Sequence, residues 1–156
     1  MVRIKINGEK NGIMKLLFIC TGNTCRSAMA QALAEKMIED NGLDIKVGSA
    51  GLFADGHSPA SENAKRAVVR YGASLEGHVS TPLTEKAAKE ADRIYAMTQD
   101  HAKLLKLSRP DLSDRIELFD PDGKDIPDPY GGSQKVYDDC AERINECLKK
   151  RLGCEE

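Results

Sequence analysis

Apolar positions along this chain follow two rhythms, a continuous run of strand length and a recurrence at helical spacing. Lys15-Leu-Leu-Phe-Ile-Cys20 is the first such run, the pattern of a strand buried on both faces of a parallel sheet. A Gly-containing turn follows. Ala28, Met29, Ala32, Leu33 and Met37 then fall on one face of a helix that stops near Asn41-Gly42. Residues 44–49 read as a second strand. Ser58-Pro59 supplies a helix cap and a first-turn proline ahead of a stripe of Ala60, Ala64, Ala67, Val68 and Tyr71. Shorter elements come next: a helix from Thr84-Glu85 to Ala91, a strand over 93–97, a helix from Gln99 to Leu107 and a strand over 115–118. An acidic, Pro/Gly-rich loop over 119–132 leads to a last helix expected to turn Val136, Cys140, Ile144, Cys147 and Leu148 inward.

Strands alternating with helices predict an α/β protein: a three-layer doubly wound fold with a four-stranded parallel sheet and helices on both faces. Ligands of such folds sit beyond the carboxyl ends of the strands, and Cys20 lies at one of those ends. No repeat or linker interrupts residues 14–156, which read as one domain. Residues 1–13 are polar and weakly alternating; an extra edge strand, a tail and a start-site artefact all stay open for them, and no role is assigned.

Charge changes this picture little. A net charge of -2 gives no global attraction to nucleic acid or acidic membranes, so any anion must be held locally. No apolar run approaches the roughly 20 residues that span a bilayer, and the first residues lack signal-peptide character. The expected address is the cytoplasm. Of the five cysteines, 140, 147 and 154 recur every seven residues on what reads as one helix. Seven residues separate them by roughly 10 Å along the axis, too far for a disulfide or a shared metal. They read as core hydrophobes.

Cys20 and Arg26 are different, because they enclose five residues between a strand and a helix in Cys20-Thr21-Gly22-Asn23-Thr24-Cys25-Arg26-Ser27. Backbone amides of Thr21 to Ser27 curling ahead of a helix N-terminus make a phosphate cradle, with Gly22 allowing the curl. Arg26 offers a bidentate fork to two phosphate oxygens. That positive potential favours the thiolate of Cys20, toward which Ser27 at the helix start can donate its hydroxyl. A hydrolase also needs an acid for its leaving group. In the acidic loop, Asp128 stands between Pro127 and Pro129, which stiffen it, and Tyr130 follows as a pocket-lining aromatic. Asp120, Asp122 and Asp125 read as a solvated turn. A calcium loop counted from Asp120 fails at its twelfth position, which is Gly131 rather than Glu.

These motifs resemble the low-molecular-weight protein tyrosine phosphatase family over nearly all of residues 14–152. The carrying segments are CTGNTCRS, Ser49-Ala50-Gly51 and Asp128-Pro129-Tyr130. The resemblance implies Cys20 as the nucleophile that becomes phosphocysteine, Arg26 as the phosphate ligand and Asp128 as general acid, then base. It further implies that Asn23, Ser49 and His78 hold the loop in shape, and that Cys25 can form a reversible disulfide with Cys20 under peroxide. His57 and His101 are expected to be bystanders. No metal or other cofactor is expected; the implied partners are phosphorylated proteins, acted on by a monomer.

Thr24 narrows the substrate. Tyrosine-specific members carry a branched apolar residue here, whereas the sequence with threonine is similar to the bacterial protein arginine phosphatases of the same family. A hydroxyl can hydrogen-bond a guanidinium nitrogen or the attacking water, while a phenyl ring leaves it unsatisfied. Gly131 after Tyr130 also leaves a less enclosed aromatic wall. Phosphoarginine is therefore the expected substrate, with phosphotyrosine the alternative. An arsenate reductase is disfavoured because no cysteine lies between Cys25 and Cys140 for an electron relay. A sugar-transport phosphocarrier has no need of the loop arginine, and a non-catalytic phosphoprotein-binding module needs neither nucleophile nor acid.

Overall fold

The computed structural model describes residues 13–154, so all of the leader but Ile13 lies outside the described residues. Strand β1 (Met14–Cys20) is followed by helix α1 (Arg26–Asn41) and strand β2 (Ile45–Gly51). Helices α2 (Glu62–Val69) and α3 (Glu85–Glu90) lead to strand β3 (Arg93–Ala96). Helix α4 (Gln99–Ser108) and a 3-10 turn (Pro110–Arg115) precede strand β4 (Ile116–Leu118), and helix α5 (Gln134–Leu152) ends the fold.

The sheet is four-stranded and wholly parallel, in the order β2-β1-β3-β4. Side chains alternate along β1, so Leu16 and Phe18 face a core shared with α1, α2 and α5, while Leu17 and Ile19 face one shared with α3 and α4. Both faces are therefore dry, which is why β1 is an unbroken apolar run rather than an alternating one. The chain leaves β1 toward β2 on one side and returns to β3 on the other. The end of β1 is thus a topological switch point, and register pairs Cys20 with Gly51 there.

Three expectations need correction. Helix α2 begins three residues later than Ser58-Pro59 suggests. Pro59 is held in an antiparallel bridge with Val79, and the extended chain continues until Ser61 caps the helix by accepting from Ala64 N at 3.2 Å. Ala60 therefore precedes the helix and Tyr71 follows it. In α5, Val136 is exposed and Tyr137 is buried in its place. Val136 lies in the first turn, where its side chain packs against Gly132 instead of the core. Finally, Cys154 is beyond the helix, because Gly153 adopts a left-handed φ of 71° and ends it.

Candidate active site

The loop from Cys20 to Ser27 wraps the start of α1, which has no side-chain cap, so the amides of its first turn are free to meet an anion. Arg26 and Ser27 open that helix, and both are buried. The one non-glycine residue with positive φ among the described residues is Asn23, at 58°. The left-handed turn therefore falls on Asn23, a residue type that tolerates it, and not on Gly22 as the sequence suggests. The close approach belongs to Gly51. A Cβ there would stand 2.6 Å from the Thr21 carbonyl oxygen, so glycine is what lets β2 pass under the loop.

Asn23 is fully buried and spends every polar atom of its side chain. Its Nδ2 donates to Ser27 Oγ (2.8 Å) and Ser49 Oγ (2.9 Å), and its Oδ1 accepts from Thr81 N (2.9 Å). His78 Nε2 reaches the Asn23 carbonyl oxygen at 2.8 Å, and Ser49 donates onward to Gln31. Because Ser27 Oγ accepts from Asn23, its own proton is left to point at Cys20 Sγ, 2.9 Å away. That places a hydroxyl donor on the sulfur, within hydrogen-bond reach.

Arg26 is 5% exposed. One terminal nitrogen donates to the Ile126 carbonyl oxygen at 3.0 Å, and the other lies 3.7 Å from Asp128 Oδ2. The acidic loop thus docks on the arginine through its backbone and leaves the guanidinium beside the carboxylate. Asp128 itself has a side chain 54% exposed and accepts from Tyr130 N at 3.1 Å. Residues 20–26, Asp128 and Tyr130 together enclose a cavity of about 260 Å³. Thr24 lines it half-buried. Cys25 is buried behind the loop, its thiol 3.4 Å from Tyr137 OH, 3.6 Å from Ser61 Oγ and 3.7 Å from Thr24 Oγ1.

Two residues set aside on sequence grounds are not peripheral. His101 is buried and bonds Thr21 Oγ1 at 2.8 Å through Nε2 and Thr98 Oγ1 at 3.0 Å through Nδ1. It supports the loop rather than standing by. Burial, and then the nearby Arg26, push its pKa below the usual imidazole value. Asp120 is buried, not part of a solvated turn, and binds Arg143 at 2.7 Å. Burial pushes its carboxyl up, but Arg143 and the Asp122 N–H outweigh that and hold it below its ordinary value. Asp122 and Asp125 are exposed, with Asp125 accepting from Gln99 N at the start of α4. His57 faces solvent beside Asp55, away from the cavity. Among the described cysteines outside the loop, burial raises Cys140 to about 12 and Cys147 to about 11, so both stay protonated core thiols.

A thiol under a serine proton, an arginine and an uncapped helix start can bind a phosphate and attack it, the chemistry of a cysteine-dependent phosphatase. The family described as low molecular weight phosphotyrosine protein phosphatase matches residues 15–154, and this chain belongs to it. It is 36% identical to the protein-arginine-phosphatase of Bacillus subtilis, over 88% of this chain and 93% of that protein. It is 32% identical to the low molecular weight protein-tyrosine-phosphatase Etp of Escherichia coli K12, over 98% and 99% of the two chains. Among solved structures it resembles YwlE arginine phosphatase, a cysteine-to-serine mutant with a phosphorylated active-site serine. The TM-score there is 0.86 at 34% identity, covering 90% of this chain and 95% of that one.

Proposed function

We propose that this phosphatase hydrolyses phosphoarginine in proteins through a phosphocysteine intermediate on Cys20. The observation that carries the reading is Thr24, a hydroxyl-bearing residue that lines the same cavity as Cys20, Asp128 and Tyr130. The kinship with protein-arginine-phosphatases supports it, as does the phosphorylated serine in the YwlE mutant.

In the first step the Cys20 thiolate attacks phosphorus in line while Arg26 and the loop amides hold the equatorial oxygens. The P–N bond breaks, and the proton of Asp128 passes to the departing guanidine nitrogen. In the second step Asp128 takes a proton from water, which attacks phosphocysteine and releases phosphate and the Cys20 thiolate. Asn23, Ser27, Ser49 and His78 keep the loop in the shape that both steps use. Thr24 favours arginine because a guanidine can bond its hydroxyl and a phenyl ring cannot. Tyr130, 82% exposed and followed by Gly131, forms an open wall suited to a flexible side chain. The five free cysteines suit a reducing cytoplasm, where we place the enzyme acting as a monomer.

The deciding experiment is kcat/KM on matched phosphoarginine and phosphotyrosine peptides, for wild type and Thr24→Ile. A wild-type preference for phosphoarginine that moves toward phosphotyrosine in the variant is expected. A wild type that prefers phosphotyrosine, with little change in Thr24→Ile, would make this a tyrosine phosphatase with the same mechanism.

A further inference from the structure

A second chamber of about 440 Å³ opens beside the catalytic cavity, with Thr24, Cys25 and Tyr130 as the shared partition. Pro59, with Ser61 and Asn63 from the start of α2, lines it together with the buried Tyr137 of α5. Gly131 and Gly132 complete the rim as bare backbone. At Gly132 a Cβ would meet the Pro129 carbonyl oxygen and the Val136 side chain at 2.9 Å, so the rim admits no side chain there. The two chambers differ in charge. The catalytic one holds Arg26 and Asp128, whereas none of the residues lining the second carries a charge. Tyr137 stays neutral too, its hydroxyl pushed up to about 12 by burial and by its bond to Cys25. Arg66 donates to Asn63 Oδ1 at 3.4 Å without lining the chamber.

We propose that this second chamber is a substrate subsite that receives one uncharged side chain, two residues from the phosphorylated residue. The inference rests on the reading of a phosphoprotein substrate but not on which residue carries the phosphate. In an extended peptide, side chains two residues apart share a face and stand about 7 Å apart, so both can enter neighbouring chambers across one partition. The residue between them points away. A charged side chain entering the second chamber loses part of its water and finds no counter-ion among the lining residues, while an aliphatic or amide side chain meets apolar rings, hydroxyls and the Asn63 amide, whose Nδ2 also reaches the Gly132 carbonyl oxygen at 3.5 Å.

The test uses the full chain, p-nitrophenyl phosphate and two series of phosphopeptides, one with phosphoarginine and one with phosphotyrosine. Each flanking position is varied in turn among Leu, Asn, Asp and Lys. Asp and Lys are expected to lower kcat/KM about tenfold at one position, two residues from the phosphorylated one, and to be neutral elsewhere. Asn63→Lys should rescue Asp at that position alone and leave p-nitrophenyl phosphate turnover unchanged. Equal tolerance of charge at every position, or rescue by Asn63→Lys at all positions alike, overturns the subsite while leaving the phosphatase intact. Turnover of p-nitrophenyl phosphate without turnover of either peptide series overturns the phosphoprotein reading and the subsite with it.

Discussion

Between Cys20 and Ser27 the polar side chains are bonded to one another or to the neighbouring strand and loops, whereas Asp128 and Tyr130 on the opposite wall face solvent. Asn23 alone accounts for three side-chain bonds, yet Asp128 meets the rest of the site only across 3.7 Å to Arg26 and through its own Tyr130 amide. The difference follows from what each wall must do. Phosphate has one shape, so its cradle is built in advance and locked. The leaving group arrives on a protein whose surface varies, so its wall is short, exposed and completed by the substrate.

If that division holds, damage to the two walls differs in kind. Cys20→Ala removes the atom proposed to form the intermediate and should abolish turnover. Asp128→Asn keeps the shape of the open wall but not its proton, and should slow kcat by about 10²–10⁴-fold. Turnover retained in Cys20→Ala would falsify the covalent route. An unaffected Asp128→Asn would put the acid elsewhere in the 119–132 loop.

A finer contrast comes from one substitution on each wall that leaves the reacting atoms in place. Asn23→Ala deletes the bonds to Ser27, Ser49 and Thr81 and leaves a β-carbon in a left-handed turn. It should cost about 1–3 kcal/mol of stability and lower kcat roughly 10- to 100-fold as the loop relaxes. Tyr130→Ala should raise KM several-fold on peptides with kcat nearly unchanged and no loss of stability. Denaturant titration beside steady-state kinetics separates the two. Equal effects of both substitutions on kcat would erase the distinction between the walls.

How far the sequence reveals these walls depends on whether a residue's partner is near in the chain. β1 is legible because burial on both faces leaves a run no other element imitates, and the loop is legible because strand, anion turn and helix start are contiguous. His101 is not, since what makes it structural is Thr21, 80 residues away. Asp120 is similar: its acidic surroundings suggest a solvated turn, and only the fold brings Arg143 to it. The phase of α5 is off at its start because Val136 packs on the Gly132 rim, a contact that a helical stripe cannot encode. The second chamber has no sequence signature, being assembled from α2, α5 and two loops.

His101 joins the two walls, and it yields the smallest effect and the most specific one. It touches the cradle through Thr21, and the charges around it are Arg26, Asp100, Asp125 and Asp128. Its pKa is lowered from the ordinary value of 6.5, first by burial and then by Arg26, with the three carboxylates opposing. The neutral imidazole is therefore the native form. As pH falls through 6.5 the unfolded chain takes up a proton that the folded chain refuses, so stability declines from there down to the folded value and is flat below it. The lowered carboxyls of Asp111 and Asp120 also lose stability in acid, but over a separate window beneath their ordinary value of 3.8. In urea titrations at pH 7.5 and 5.5, wild type should show a lower midpoint at the acid value. His101→Gln, which keeps a hydrogen-bonding side chain without the titration, should show a smaller drop. Parallel curves for the two proteins would mean that the His101 pKa is the same in the folded and unfolded chains, and a larger drop in His101→Gln would mean that the cradle rests on a cation at this point, not on a neutral ring.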